Sequence, residues 1–295
     1  MNVLITGGTG FIGSALCALL LEKKHDVVVL SRHPEALKAP IKGIRDLVQL
    51  ADDVSFDVVI NLAGEPIANK RWSNQQKQRI LNSRIATTQK LIAYLEATEK
   101  KPELLISGSA IGYYGVNETD EGIDESGLGD ESFSSQLCQQ WETVALQAET
   151  LGIRTCLLRT GIVLGQGGGA LSKMLPAFKM GLGGRIGHGK QWMSWIHRDD
   201  LIGIILYCIA HNNLKGAING TAPHPVTNQE FAKTLGKVLK RRVIFPMPSL
   251  MIKGLMGQMG EELLLAGKKI LPVKVLNAGY QFKYQELTKA LLNVT

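Results

Sequence analysis

Residues 3–13 read VLITGGTGFIG, and this stretch decides the fold. Val3 to Thr6 is a short apolar run, and beyond the glycines Phe11, Ile12, Ala15, Leu16, Leu19 and Leu20 recur at helical spacing. The order is strand, glycine turn, helix. Gly8, Gly10 and Gly13 satisfy G-x-G-x-x-G, while Gly7, Gly10 and Gly13 satisfy G-x-x-G-x-x-G. Such a turn lets the backbone pass close to a pyrophosphate, aims the amides of the helix start at its charge and packs helix tightly on strand. The string alone is a weak signal. Between a buried N-terminal strand and an amphipathic helix it predicts a dinucleotide site.

The rest of the chain continues the alternation. Val27 to Leu30 reads as a second strand and Asp57 to Asn61 as a later one, ending in Leu62-Ala63-Gly64; the register between Pro34 and Ser55 is not legible. Ser73 to Thr98 has a long helical pattern, Leu104 to Ile106 is a strand, Ser134 to Thr150 a helix and Thr155 to Leu158 a strand. This alternation predicts an α/β fold, a Rossmann-type doubly wound parallel sheet. Ten glycines between Gly161 and Gly189 rule out one regular element there. From Asn228 onward the pattern is mostly helical, punctuated by Pro246, Pro248 and Pro272. The expected division is a cofactor domain over 1–165, with 194–222 returning to it, and a smaller, mostly helical substrate lobe over 166–295.

Bulk properties exclude several classes. The 295 residues, 45% hydrophobic and 20% charged, describe an ordinary globular chain with room for a sizeable core. The longest apolar stretches, Ala15 to Leu21 and Leu201 to Ala210, fall short of the roughly 20 residues a membrane span needs. Those short stretches give the expectation of no membrane partner, and the N-terminus carries no basic residue ahead of an apolar core, so a cytoplasmic protein is expected. Cys17, Cys138, Cys156 and Cys208 stand far apart without metal-ligand spacing and read as reduced, buried thiols. The net charge of +7 is spread along the chain with no nucleic-acid motif, so no nucleic-acid partner is expected. Residues 117–131, NETDEGIDESGLGDE, hold seven acidic side chains and read as a solvated loop, with an acidic lid as the alternative.

The second strand ends VVVLSRH, placing Ser31 and Arg32 where an NAD site has a carboxylate for the ribose hydroxyls. An arginine there matches a 2′-phosphate, which favours NADP(H) over NAD(H).

TGGTGFIG, NLAG (61–64), SGSAIGYYG (107–115) and LLRTGIVLG (157–165) together resemble the extended and atypical short-chain dehydrogenase/reductases of the NAD(P)-dependent epimerase/dehydratase family. The likeness is closer to the nucleoside-diphosphate-sugar epimerase branch, through NSR (82–84), CQQWE (138–142), GKQWMSWIHRDDL (189–201) and AGYQF (278–282). The resemblance implies cofactor contacts from Gly7, Gly10, Phe11, Ile12 and Gly13, from Leu62, Ala63 and Gly64, and from Arg84 and Val163. It also implies a Tyr-x-x-x-Lys helix, in which the lysine lowers the phenol's pKa, because a free phenol near pKa ~10 is a poor base at neutral pH. Here the matching positions are Cys138 and Glu142, and a glutamate there raises a thiol's pKa. Ser109 remains the candidate carbonyl-polarising serine, and Tyr113 or Tyr114 a candidate phenol from another direction; the plainer reading packs one tyrosine under the glycine loop and lets the other line the pocket.

The arginine that sugar-nucleotide epimerases carry before their aromatic-Ile-His segment is Met193 here, with Arg185 or Lys190 as substitutes. Trp192 and Trp195 suit a pocket wall and lobe packing equally. Asp199 and Asp200 are expected to cap the helix from Leu201. The resemblance is compatible with a homodimer packed through the long helices. Two readings follow. One is an NADP(H)-dependent oxidoreductase or epimerase (an isomerase) of a small or sugar-like substrate, and the other a non-catalytic NADP(H)-binding regulator.

Overall fold

The computed structural model describes residues 1–50, 54–117 and 119–295, so Glu118 of the acidic stretch and residues 51–53 of the segment before Ser55 lie outside the described residues. Seven strands form the main sheet: β1 (Asn2–Thr6), β2 (Asp26–Leu30), β3 (Lys42–Ile44), β4 (Val58–Asn61), β5 (Leu104–Ala110), β6 (Arg154–Thr160) and β7 (Gly216–Gly220). Their order is β3-β2-β1-β4-β5-β6-β7, every neighbour parallel. The strand order reverses between β1 and β4. A crevice outside the carboxyl ends of the strands at that switch point is where such sheets bind ligands.

The strands are nearly continuous apolar runs because both faces are covered. Val3, Ile5, Val58, Ile60, Leu104 and Ile106 pack with Leu16 and Leu20 of α1 (Gly13–Glu22). Leu4, Val59 and Leu105 face the opposite way, onto Leu91 and Leu95 of α2 (Asn74–Ala97). Each such fully buried aliphatic side chain contributes about 1.5–3 kcal/mol of transfer free energy. The unreadable segment holds two short 3-10 turns around the three-residue β3. It is too short to show a period.

The helix expected over 134–150 is split. The α-helical part, α3 (Phe133–Ala145), tightens into a 3-10 turn over Leu146–Leu151 that ends at Gly152, φ +78°. A left-handed glycine closes helices in this way.

After β6 the chain forms α4 (Gly169–Lys179), then α5 (Arg198–Ala210), returns to the sheet as β7, and continues into α6 (Asn228–Val238), α7 (Ser249–Met256) and a terminal helix, Leu287–Val294. Short pairs knit this part together: Ile162–Leu164 with Trp195–His197, and Trp192–Met193 with Val226–Thr227. Leu171, Phe178, Trp195, Phe231, Leu235 and Leu291 make its separate core. Asp199 and Asp200 are not the caps of α5. His197 is, its Nδ1 accepting the Asp199 N–H at 3.1 Å. Asp200 is buried and instead accepts the N–H groups of Lys283 and Tyr284, which ties the C-terminal segment to α5.

Candidate active site

The glycine turn is shaped by close approach. Gly7, at φ +71°, ends β1 where a Cβ would stand 2.6 Å from the Leu62 carbonyl oxygen. A Cβ on Gly13 would stand 2.2 Å from the Gly7 carbonyl oxygen, and the Gly10 N–H donates to that same oxygen at 3.0 Å. No side chain among the described residues caps α1, while the Ser14 N–H of its first turn donates to the Gly10 carbonyl at 2.9 Å. Phe11 fills the space left by Gly165, Gly168 and Gly169, and the Arg198 guanidinium lies 5.1 Å from its ring. Ile12 is partly buried against the sheet core.

The NLAG turn is anchored from below. Thr6 Oγ1 donates to Asn61 Oδ1 at 2.5 Å and accepts the Ala63 N–H; Asn61 Nδ2 donates to Thr88 Oγ1 at 2.8 Å, where Trp141 Nε1 also donates. Arg84 is half-buried under this turn, donating to the carbonyls of Glu65 and Ile80 and facing the Trp141 ring. A Cβ on Gly64 would lie 2.9 Å from its Cζ. Burial lowers the Arg84 pKa.

At the end of β2, Ser31 donates its N–H to Ile44 and accepts from the His33 N–H. Arg32 is exposed and has no ion pair or hydrogen bond among the described residues. The nearby carboxylate of Glu35 is engaged by Arg45 and His33. Val163 is buried in the sheet core, paired with Ile196.

Cys138 and Glu142 of α3 both face the interior. Cys138 is buried and its pKa is pushed up to about 11, first by desolvation and then by Glu142. Glu142 receives a two-pronged bond from Arg159 of β6, Nε to Oε1 and Nη2 to Oε2, both 2.8 Å. Both side chains are almost fully buried, at 6% and 5% exposure. Burial opposes the charge on Arg159, and its bonds to Glu142 outweigh that, so its pKa stands above the ordinary arginine value. Ser109 donates its proton to Glu142 Oε1 at 2.6 Å. Arg159 Nη1 continues to Tyr114 Oη at 3.0 Å, and Tyr114 donates to Asn219 Oδ1 at 2.6 Å. Desolvation pushes the Tyr114 pKa up to about 12.

Tyr113 is only half-buried, and the Arg159 guanidinium lies 3.4 Å from its ring centre. Ser109, Tyr113, Glu142 and Arg159 therefore meet at the carboxyl end of β5 and β6. Arg159 was not foreseen, although an arginine inside the apolar strand LLRTG is itself a sign of a buried partner.

The acidic stretch is only partly solvated. Glu125 is folded in, accepting the N–H groups of Asn219 and Lys274, and desolvation raises its pKa. An open cavity of about 850 Å³ separates this stretch from residues 253–266, with Asp130, Glu131, Glu261 and Glu262 on its walls. Glu262 also reaches α3, accepting from the N–H groups of Phe133 and Ser134. Trp195 is fully buried in the second core, while Trp192 is partly exposed under the Lys269 ammonium. Met193 is buried; Arg185 and Lys190 are exposed.

Residues 3–219 match the model of the NAD dependent epimerase/dehydratase family, and residues 247–294 match a domain of unknown function. The chain is 39% identical to the human epimerase family protein SDR39U1 over 297 residues, covering 100% of this chain and 99% of that protein. It is also 39% identical to the chloroplastic SDR39U1 homolog of Arabidopsis thaliana over 302 residues, covering 99% of this chain and 86% of that protein. The crystal structure of human SDR39U1 (isoform2) with NADPH superposes with a TM-score of 0.89 at 36% identity, covering 100% of this chain and 99% of that one. With matches of this extent, the chain belongs to the NAD dependent epimerase/dehydratase family.

Proposed function

We propose that this protein binds NADP(H) and acts as an oxidoreductase or epimerase on a small or sugar-like hydroxyl or carbonyl substrate, without the usual tyrosine–lysine pair. The observation that carries the cofactor choice is Arg32, an exposed guanidinium with no partner among the described residues, standing just beyond β2. A 2′-phosphate supplies what it lacks. The human relative solved with NADPH supports the same reading. The turn Gly7, Gly10, Phe11, Ile12 and Gly13 would hold the pyrophosphate, Ser31 and Arg32 the adenosine end, and Leu62, Ala63 and Gly64 the crevice wall. Arg84 acts from beneath that wall, and Val163 closes the floor.

When bound, the cofactor donates or accepts hydride at its nicotinamide ring. The chain's part is to place a proton. Cys138 is unsuited, being buried and protonated well above neutral pH. Ser109 has its proton committed to Glu142 and so offers lone pairs, which suits a substrate hydroxyl better than a carbonyl. Tyr113 Oη remains the group able to give or take a proton at the substrate oxygen. Loss of a general acid–base typically lowers turnover by about 10²–10⁴-fold. Tyr113→Phe is expected to reduce NADPH oxidation against a panel of aldehydes, ketones and sugar nucleotides by at least about 10²-fold. Unchanged turnover would remove Tyr113 from the reaction.

The second reading, a cofactor-binding protein without turnover, is favoured by one observation. Glu142 is held by Arg159 and Ser109, so the α3 helix has no proton relay to offer. Under it the same panel shows tight NADPH binding and no oxidation.

A further inference from the structure

Residues 244–251, IFPMPSLM, are exposed at every position. Ile244, Phe245, Met247, Leu250 and Met251 are each between 43% and 81% accessible, and Leu255, Met180 and Leu182 add to them at 69%, 67% and 54%. A run of this length is ordinarily buried or used. The two segments lie side by side. The Met247 N–H donates to Arg185, the Gly187 N–H to Met247, and Arg241 Nε to the Lys179 carbonyl.

Along the two segments themselves the charge is of one sign, the acidic groups near Leu255 lying beyond the end of α7. No aspartate or glutamate occurs between Glu149 and Asp199, or between Glu230 and Glu261. Lys233, Lys237, Lys240, Arg241 and Arg242 line a shallow basin against Val243, next to the apolar run. Lys179 and Arg185 are exposed on the neighbouring segment. Glu261, which bounds the second acid-free stretch, is paired with Lys253 at 3.1 Å.

The apolar side chains protrude, and the basin beside them is walled by cations. That geometry does not suit an amphipathic helix seated in an apolar groove. A second copy of this chain is also disfavoured, since a two-fold contact would set the same cations against each other. Protruding apolar groups flanked by a basin of lysine and arginine suit a bilayer surface rich in anionic headgroups. We propose that this face of the lobe docks on an anionic membrane surface. Phe245 and Leu250 enter the headgroup–acyl boundary, and Lys237, Lys240, Arg241 and Arg242 meet the lipid phosphates. The expectation of no membrane partner rested on spanning segments, and no helix among the described residues is long and apolar enough to cross a bilayer. Lying against a membrane requires none.

The test is co-sedimentation of the full chain with vesicles of phosphatidylcholine alone and of phosphatidylcholine mixed with phosphatidylglycerol. Binding is expected to the mixed vesicles only and to weaken as salt is raised. Phe245→Asp with Leu250→Asp, and separately Lys237→Glu with Arg242→Glu, should each weaken it by at least about tenfold. Leu128→Asp, which changes a leucine 83% exposed in the acidic stretch, should not. All three substitution sets lie on the surface, and unchanged melting temperatures would show that the fold is intact. Absence of vesicle binding would overturn the proposal, as would equal binding to neutral vesicles. A stable dimer that Leu250→Asp dissociates, with no lipid binding, would assign the face to a second copy instead.

Discussion

Glu142 lies on α3, and its charged partner, Arg159, comes from β6. A charge buried this deeply is tolerated because Arg159 meets it with two parallel bonds and Ser109 adds a third. Removing one member leaves the other uncompensated, which typically costs about 3–5 kcal/mol. Glu142→Gln should therefore lower the unfolding free energy by about that amount in urea denaturation. A loss below about 1 kcal/mol would mean that the pair is solvated and contributes as little as a surface bridge. Both members were visible in the sequence as single residues. Their pairing was not, because it joins a helix to a strand and depends on which side chains of β6 point toward α3.

At the scale of the element, α5 starts with a histidine as its cap. His197 Nδ1 accepts the Asp199 N–H and Nε2 pairs with Asn293 Oδ1, an arrangement that suits the neutral ring. Desolvation lowers its pKa below the ordinary 6.5, against the pull of Asp199. The sign follows directly. Below about pH 6.5 the unfolded histidine takes up a proton that the folded one refuses, so the stability it contributes above that pH falls as pH drops. Urea melts at about pH 7.5 and pH 5.5 should show this loss in the parent protein and a smaller one in His197→Asn, which can cap without titrating. Equal losses would assign the acid sensitivity to other groups. The sequence suggested Asp199 and Asp200 as caps because aspartate is the commoner residue there. Asp200 was claimed by the backbone of Lys283 and Tyr284, more than eighty positions away by the spacing of these bonds.

At the scale of the molecule, the sheet reverses its strand order beside the glycine turn, so Arg32 beyond β2 and Tyr113 beyond β5 lie along the same carboxyl edge of the sheet, on either side of that turn. A ligand laid across it stabilises the native state by mass action, about 2.7 kcal/mol at a hundredfold excess over Kd. NADPH should raise the melting temperature more than NADH does. Arg32→Asp should abolish that difference while leaving a response to NADH. A variant that still prefers NADPH would place the 2′-phosphate elsewhere.

The sequence by itself determined the parts whose constraint is local. The turn around Gly7, Gly10 and Gly13 must be glycine because backbone atoms come within van der Waals range of the missing Cβ, and the strands declare themselves because a two-sided sheet demands unbroken apolar runs. Cys138 and Glu142 were equally legible as residue types at a fixed spacing. Tertiary structure alone decided what surrounds them. Arg159 and Ser109 reach Glu142 from different strands, Tyr113 stacks on Arg159, and Glu262 reaches the start of α3 from the C-terminal segment. Periodicity and composition carry no record of such meetings, since a buried ion pair is specified by strand register and helix packing, which long-range burial sets.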